Sequence, residues 1–207
     1  MSFEKRTVFR TDDETVNAYR LMTAVVVPRP IAWVTTVSAG GTVNLAPHSF
    51  YTVSCARPPI VQFSSVGTKD TLANVRATGE FVVNLAHGPL MEAVNNSSAA
   101  FDQHQSEPEQ LGIVMEPSAV VRVPRVRESP VSIECTLHST NELGDSTVVF
   151  GSVEAITVAD DVLVDGHPQY DLLDPLTRLG KDEWGVGARV VSVPRPRKPE
   201  DIPGYRS

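Results

Sequence analysis

Alternating apolar and polar positions run through most of the chain and predict a mainly β protein. The β-branched run Ile31–Val37 predicts a buried strand, and Gly40-Gly41 predicts a hairpin turn onto Thr42–Leu45. The same pattern predicts further strands at Phe50–Ser54, Ile60–Ser65, Glu80–Ala86, Val120–Val123, Val131–Ser139 and Ser146–Val158, a turn at Asn141–Asp145, and extended segments at Thr7–Arg10 and Ala188–Val193.

Helical spacing of apolar residues is confined to a few segments. We predict a first helix over Glu14–Ala24, capped by Asp12 or Asp13, with Val16, Tyr19 and Met22 on one face. The second, over Thr68–Thr78, is capped by Thr68 or Asp70 and stopped by Gly79, and the third covers Pro89–Ser98. Residues 99–112 are polar and predict an exposed excursion.

Many strands with few helices favour a closed or half-closed antiparallel barrel decorated by helices. A Rossmann fold would need regular strand–helix alternation and a G-x-G-x-x-G fingerprint, and the sequence has neither. We expect a single domain over residues 1–207, with a core at about 15–193 and a C-terminal arm at 194–207.

Composition narrows the function classes. The 207 residues carry a formal charge of −7, which argues against a nucleic-acid partner because such proteins present a basic face. The two cysteines and five scattered histidines lack metal-site spacing, so we predict no metal. Residues 1–13 lack the apolar core of a secretory signal, and no stretch approaches the roughly 20 apolar residues of a membrane span. We therefore expect a cytoplasmic protein without a membrane partner.

Three patches carry candidate binding chemistry. The segment Asn44–Ser49 is interpreted as a stiff polar loop whose freed backbone N–H groups suit the edge of a polar heterocycle; the alternative is a hairpin end that satisfies its own backbone. The segment Ser64–Thr71 places hydroxyls and Lys69 at a helix start, which suits a phosphate; the alternative is a capped helix with a solvated lysine. Arg29, between two prolines, is a candidate phosphate clamp or a surface ion-pair partner.

Several ordered motifs then reveal a family resemblance. They are P-R-P-I-A-W-V-T-T from Pro28, N-L-A-P-x-S-F from Asn44, and K-D-T-L-x-N-V-R-x-T-G-E-F-V-V-N-L from Lys69. Shorter ones follow at Glu128–Cys135, Val149–Val153 and Pro175–Gly180. Over about residues 15–190 the chain resembles the flavin reductase-like family, which includes flavoredoxins and the small reductase components of two-component monooxygenases.

The resemblance implies an antiparallel, Greek-key, FMN-binding split β-barrel that forms a homodimer with FMN near the interface. It also implies that the segment from Arg178 to Trp184 approaches the flavin, while His48, found where the family has an aromatic ring such as Phe, is a candidate tuner of it. The predicted cofactor-binding residues are Arg29, Pro30, Ala32, Trp33, Thr35, Asn44, Leu45, Ala46, Pro47, His48, Ser49, Ser64, Ser65, Lys69, Asp70 and Thr71.

The activity expected from this resemblance is hydride transfer from NAD(P)H as co-substrate to FMN, with electrons passed on to a monooxygenase or another acceptor partner. Two alternatives stay open. One is an FMN-binding electron carrier without NAD(P)H activity of its own. The other is a split-barrel protein that holds a different ligand, such as a deazaflavin or haem.

Overall fold

The computed structural model describes residues 4–205, in which antiparallel strands predominate. The longer strands are β2 (Ala32–Val37), β3 (Val43–His48), β4 (Tyr51–Ala56), β5 (Pro59–Val66), β6 (Glu80–Leu85), β9 (Val131–Leu143) and β10 (Ser146–Val158). Two-residue strands are β1 (Arg29–Pro30), β7 (Met115–Glu116), β8 (Arg125–Val126), β11 (Leu163–Val164), β12 (His167–Pro168), β13 (Thr177–Arg178) and β14 (Trp184–Gly185).

Five α-helices connect these strands within the described residues. They are α1 (Ala18–Val25), α2 (Asp70–Thr78), α3 (Met91–Asn96), α4 (Glu107–Leu111) and α5 (Tyr170–Leu173). Short 3-10 turns precede α3 at Gly88–Leu90, follow β10 at Asp160–Val162, and occur near the C-terminus at Pro199–Asp201. No helix in residues 4–205 is long and apolar enough to span a membrane.

The main sheet has seven strands in the order β3-β2-β6-β9-β10-β5-β4, and every pairing in it is antiparallel. The sheet curls, because its two edge strands, β3 and β4, are consecutive in the chain and are joined only by Ser49 and Phe50. Strands at opposite ends of the order therefore approach each other. The predicted mainly-β antiparallel class is confirmed.

Apolar clusters line both faces of β2, as strand alternation requires. Ala32 and Val34 belong to one cluster with Phe63, Phe81 and neighbouring residues. Ile31 and Trp33 belong to another cluster, which also holds Leu45, Val94 and Leu176. Burial on both faces explains why Ile31–Val34 is a continuous apolar run and why the threonines that follow, Thr35 and Thr36, are buried as well.

The first helix is shorter than predicted and faces another way. It begins at Ala18, where the side chain of Asn17 accepts the N–H of Arg20 at 2.9 Å, and not at Glu14. Tyr19 and Met22 share a face as their spacing predicts, but they are 60% and 55% exposed, and Thr23 is the buried residue of this helix. Neither Thr7–Arg10 nor Ala188–Val193 pairs as a strand.

The predicted strand Val120–Val123 is wrong, and Glu134 explains why. The carboxylate of Glu134, which has no exposed surface, accepts the N–H groups of Ala119, Val120 and Val121 at 2.8, 2.6 and 3.1 Å. Three successive N–H groups that converge on one carboxylate cannot also alternate along a sheet ladder. Burial alone would raise the pKa of Glu134, but these N–H donors outweigh it and leave the pKa below its usual value.

The polar segment 99–112 is not wholly exposed as predicted. Ser106, Glu107 and Pro108 are buried at the start of α4. Glu107 accepts the outward-facing N–H of Leu45 on edge strand β3 at 2.9 Å, and burial raises the pKa of its carboxyl. The segment therefore covers a sheet edge that would otherwise expose an unpaired donor.

Candidate functional site

A cleft of about 1020 Å³ opens beside the start of β2 and the end of β3. Its walls come from separate parts of the chain: α1, the β3 end, the α3 region and the β13–β14 segment. The lining residues are Tyr19, Ile31, Pro47, Ser49, Pro89, Met91, Glu92, Val94, Asn95, Ser98, Arg178, Asp182 and Trp184. The cleft therefore combines apolar surface with a few polar groups, as small-molecule sites usually do.

One wall of this cleft is a cation–aromatic pair. Strand β1 pairs with β13, and β13 pairs with β14, which carries Arg178 and Trp184 to the cleft. The Arg178 guanidinium carbon lies 4.7 Å from the centroid of the Trp184 ring, and Arg178 also donates to the carbonyl of Lys181 at 2.9 Å. This pair presents a flat surface of the kind that stacks on a planar ring.

The predicted polar loop Asn44–Ser49 is mostly strand, and this changes its donors. Strand β3 runs to His48 and pairs with β2, with Ala46 opposite Val34. Because the N–H of Leu45 points outward to Glu107, the alternation of the ladder directs the N–H groups of Asn44, Ala46 and His48 towards β2. Pro47 has no N–H. The segment Asn44–Ser49 therefore does not offer a row of free backbone N–H groups. The β2–β3 ladder ends just before Ser49, which lies at the cleft wall.

His48 is buried against the core residue Phe63, with one ring nitrogen unpartnered. It is 8% exposed, and its ring centroid lies 4.7 Å from that of Phe63. Nδ1 lies 3.3 Å from the carbonyl oxygen of Ser64, so it carries the proton, whereas Nε2 is buried without a hydrogen-bond partner. Burial, together with the charge of Lys69, outweighs the Ser64 contact and lowers the pKa of His48 to about 4. The imidazole is therefore neutral near pH 7.

The start of α2 keeps its anion-binding potential. The predicted cap by Thr68 or Asp70 is wrong: Lys69 occupies the N-cap position, and no side chain bonds the first-turn N–H groups. Gly67, at a φ of 73°, turns the chain from β5 into the helix, and Ser65 donates to its carbonyl at 3.0 Å. Uncapped N–H groups and an exposed lysine at one helix end form the arrangement that binds phosphate.

The two patches lie next to each other in the fold. Ser49 lines the cleft, the adjacent Phe50 accepts the N–H of Ser64, and His48 reaches the carbonyl of Ser64 from the other side. Ser64 lies two residues before the end of β5, and the short turn after β5 leads to Lys69 at the start of α2. The structure thus brings together Pro47, His48, Ser49, Ser64 and Lys69.

Arg29 is buried and bonded to backbone carbonyl groups. It is 7% exposed, and its terminal nitrogens donate to the carbonyl oxygens of Thr23, Val26 and Leu179. Its Nε is buried without a partner. The surface ion pair is wrong, because the buried guanidinium fork instead ties α1 and the C-terminal segment to β1. The phosphate clamp stays a prediction.

Further predicted ligand contacts are packing residues. Ala32, Trp33, Thr35 and Leu45 have no exposed surface. The indole N–H of Trp33 donates to the hydroxyl of Ser97 at 2.9 Å, so its polar edge is also satisfied internally. These four side chains cannot touch a ligand in this conformation. Their role is to hold β2 and β3 in register behind the cleft.

The remaining predicted residues divide between a buried cluster and other surfaces. The side-chain amide of Asn44 and the hydroxyl of Thr71 share a hydrogen bond of 3.1 Å, and both residues are buried. Asn44 and Asp70 line a separate, smaller cleft near Gln103–Gln105. Ser65 has no exposed surface, Ala46 is half-buried, and Pro30 is exposed.

Sequence reasoning missed the α3 side of the cleft. Met91, Glu92, Asn95 and Ser98 line it, together with Tyr19 of α1. The pattern predicted a helix at Pro89–Ser98, and one is present in its centre at Met91–Asn96. Nothing in the spacing indicated which of its faces would border a cleft, because that depends on where the helix packs. Among the described residues, no group of three or more His, Cys, Asp or Glu side chains could hold a metal ion.

Comparison with known proteins identifies the class that this fold and site define. Residues 22–173 match the family model for the flavin reductase like domain, and the chain belongs to that family. It is 40% identical over 190 residues to an uncharacterized protein of Halalkalibacterium halodurans, covering 86% of this chain and 90% of that one.

Solved structures agree with this assignment. Nitrilotriacetate monooxygenase component B from Bacillus cereus superposes with a TM-score of 0.86 at 27% identity, covering 93% of this chain and all of that one. A protein from Shewanella frigidimarina assigned as a flavin reductase with a split barrel domain matches at a TM-score of 0.79 and 22% identity, covering 86% and 91% of the two chains. The latter likeness bears on the fold alone, and the chain is a split-barrel protein of the flavin reductase-like family.

Proposed function

We propose that this protein binds FMN and catalyses hydride transfer from NAD(P)H to it. The observation that carries the proposal is the contiguity of a flat-walled cleft with an uncapped helix start that bears Lys69. A flavin mononucleotide has a planar ring at one end and a phosphate at the other, so it matches both parts. Membership of the flavin reductase-like family supports the same choice.

The residues present fit such a cofactor on two further grounds. The cleft volume of about 1020 Å³ lies at the upper end of the usual range for small-molecule sites, which leaves room for a second planar ring beside the first. The lining also supplies the polar side chains of Ser49, Asn95 and Ser98, which suit the polar edge of a planar ring.

The protein's own part in this reaction is positioning. When bound, the flavin accepts a hydride equivalent and so supplies the redox chemistry. Pro47, Ser49 and the stacked pair of Arg178 and Trp184 orient planar groups, while Lys69 and the first-turn N–H groups of α2 hold the phosphate. A direct hydride transfer needs no side-chain acid or base.

Steady-state assays with NADH and with NADPH, each with and without added FMN, test this function. We expect oxidation of at least one nucleotide that depends on FMN. A protein that purifies yellow but consumes neither nucleotide would replace the enzyme with an electron carrier. A colourless protein that does not quench flavin fluorescence would overturn FMN binding, and an absorption spectrum unlike that of flavin would indicate another ligand.

We also propose a homodimer, with α1 at its interface. Tyr19, Met22 and Val25 of this short helix and its C-cap residue Val26 are 55% to 72% exposed, an unusual concentration of apolar surface. Tyr19 also lines the cleft, so a second copy that covered this face would border the cleft.

The α1 face provides a direct test. Met22→Asp should convert a dimer into a monomer near the chain mass of 22.4 kDa, measured by sedimentation velocity, because a buried unpaired carboxylate is costly at an interface. Val164→Asp, on the β11–β12 hairpin, is the matched control and should leave the dimer intact. A monomeric wild type, or a dimeric Met22→Asp variant, would contradict the assignment.

We also propose that the electron acceptor is a partner monooxygenase. The structural relative from Bacillus cereus is component B of a monooxygenase. A separate oxygenase component can accept reduced FMN only if the flavin leaves the cleft. We therefore expect the flavin to dissociate at least as fast as the enzyme turns over.

A further inference from the structure

The C-terminal strap, residues 186–198, combines exposed apolar and basic side chains. It follows β14 directly and pairs with no strand in the described part of the chain. Its valines are 56% to 78% exposed: Val186, Val190, Val191 and Val193. Its charged side chains are all cations: Arg189, Arg195, Arg197 and Lys198. A contiguous stretch of exposed apolar side chains indicates a surface that another surface covers.

The strap is held only weakly by its own chain. Among the described residues, its hydrogen bond to the body of the chain is the one that the Ala188 N–H donates to the Tyr170 hydroxyl, at 3.2 Å. The backbone N–H groups of Arg197 and Lys198 bond locally, to the carboxylate of Asp201. No cationic side chain of the strap forms an ion pair within the described part of the chain. Its valines and its cations are therefore available to another copy.

The region of α1 carries the complementary pattern. The exposed apolar face of this helix consists of Tyr19, Met22, Val25 and the C-cap residue Val26. The exposed acidic residues Asp12, Asp13 and Glu14 precede the helix. Arg20, the one charged residue of α1, lies about 100° round the helix from Tyr19, on the side away from Met22. The apolar face itself therefore presents no cation to the strap.

The two patterns match in order and in length when the strap runs antiparallel to α1. The extended run from Val190 to Val193 is about 10 Å long, at roughly 3.3 Å per residue. The helix from Tyr19 to Val26 is also about 10 Å long, at roughly 1.5 Å per residue. Three of the strap's cations follow its valines, and the acidic residues precede the helix, so this orientation brings opposite charges together.

The start of the strap indicates that the covering copy is a second copy of this chain. Arg29 donates to the carbonyl oxygens of Val26 and Leu179, so the segment that leads into the strap lies beside α1. In a twofold dimer with α1 at the interface, elements beside α1 in one copy lie near α1 of the other. Within its own chain the strap leaves the α1 face 55% to 72% exposed, although it begins close by.

We propose that the C-terminal strap of one copy docks antiparallel along α1 of a second copy. Its valines cover the apolar face, and Arg195, Arg197 and Lys198 lie against the acidic residues 12–14. This inference rests on the homodimer proposed above, and it names the segment that covers the α1 face. Because Tyr19 also lines the cleft, the strap of each copy borders the cleft of the other.

Reciprocal charge reversal tests this contact. The strap variant carries Arg195→Glu, Arg197→Glu and Lys198→Glu, and the α1 variant carries Asp12→Lys, Asp13→Lys and Glu14→Lys. All six side chains are exposed, so both variants should fold, which circular dichroism checks. Each variant alone places like charges at both contacts of a twofold dimer, whereas an equal mixture of the two places opposite charges at both. The readout is the dimer dissociation constant from sedimentation velocity at low salt, where charge effects are largest.

We expect each variant alone to raise the dissociation constant at least about tenfold, and the mixture to return to within about threefold of wild type. The matched control reverses two exposed acidic residues in the turn after β10, by Asp160→Lys and Asp161→Lys, and should leave the dimer intact. A mixture without rescue would overturn the inference, because a strap that docks on its own chain gains nothing from mixing. Unchanged dissociation constants in both variants would also overturn it but would leave the homodimer standing. A monomeric wild type would refute the homodimer itself.

Discussion

Replacing Glu134 by alanine should lower the free energy of unfolding by about 3–5 kcal/mol, the largest effect that we expect of a single substitution in this protein. The side chain has no exposed surface and accepts three backbone N–H groups from Ala119, Val120 and Val121. Its removal leaves these donors without an acceptor and leaves a cavity beneath the segment. Urea denaturation monitored by circular dichroism measures the change.

The Glu134 carboxylate should also make the free energy of unfolding depend on pH. The pKa of Glu134 is lowered in the folded protein, so its contribution is present above the unfolded pKa of about 4.3 and is lost as the pH falls through the folded pKa. Glu134→Gln should therefore be destabilised at pH 7 and should differ less from wild type at about pH 3. Glu154→Gln, an exposed glutamate that accepts from Thr136, is the control and should change little. A constant difference between wild type and Glu134→Gln at both pH values would refute this account.

Changing Lys69 to alanine should weaken FMN binding by about 10- to 100-fold, from the loss of a charge-assisted contact worth roughly 1.5–3 kcal/mol. Lys69 occupies the N-cap position of α2, where no side chain caps the first-turn N–H groups. Its charge and those N–H groups converge on one place, which is why a phosphate is the expected partner. Fluorescence titration with FMN and with riboflavin measures the effect.

Two comparisons make the Lys69 result specific. Riboflavin lacks the phosphate, so its affinity should be nearly unchanged in Lys69→Ala. Arg76→Ala removes a positive charge from the last turn of the same helix, where Arg76 pairs with Glu142, and it should leave FMN binding within about twofold of wild type because salt screens distant charges. Equal weakening of FMN and riboflavin would mean that Lys69 affects the fold of the site and does not contact phosphate.

Much of the fold followed from local pattern. The run Ile31–Val37 forms β2 and contributes to two apolar clusters, because its apolar residues at 31–34 and its β-branched residues after them favour a strand buried on both faces. Gly79 ended α2 with a φ of 75°, a conformation that glycine adopts without a Cβ clash. The hairpin at Gly40-Gly41 formed for the same reason, with Gly41 at a φ of 90°.

Errors arose where a distant residue satisfied the backbone. Val120–Val123 has an apolar rhythm typical of a strand, but Glu134 gathers its N–H groups from elsewhere in the chain. The segment Asn44–Ser49 contains the proline and polar residues typical of a loop. It is nevertheless a strand as far as His48, because the Glu107 carboxylate accepts the outward-facing N–H of Leu45. Spacing along the sequence carries no information about such long-range acceptors.

The sequence by itself determined the antiparallel class, the family and the order of the two binding patches, because these depend on local periodicity and on ordered motifs. Only the tertiary structure decided which residues of those motifs reach the site. In the folded chain Trp33 and Thr35 are buried, and Arg29 donates to backbone carbonyls. Arg178, Trp184 and α3 surround the cleft. The physical reason is that a side chain's exposure depends on what packs over it, and here the covering elements come from distant parts of the chain.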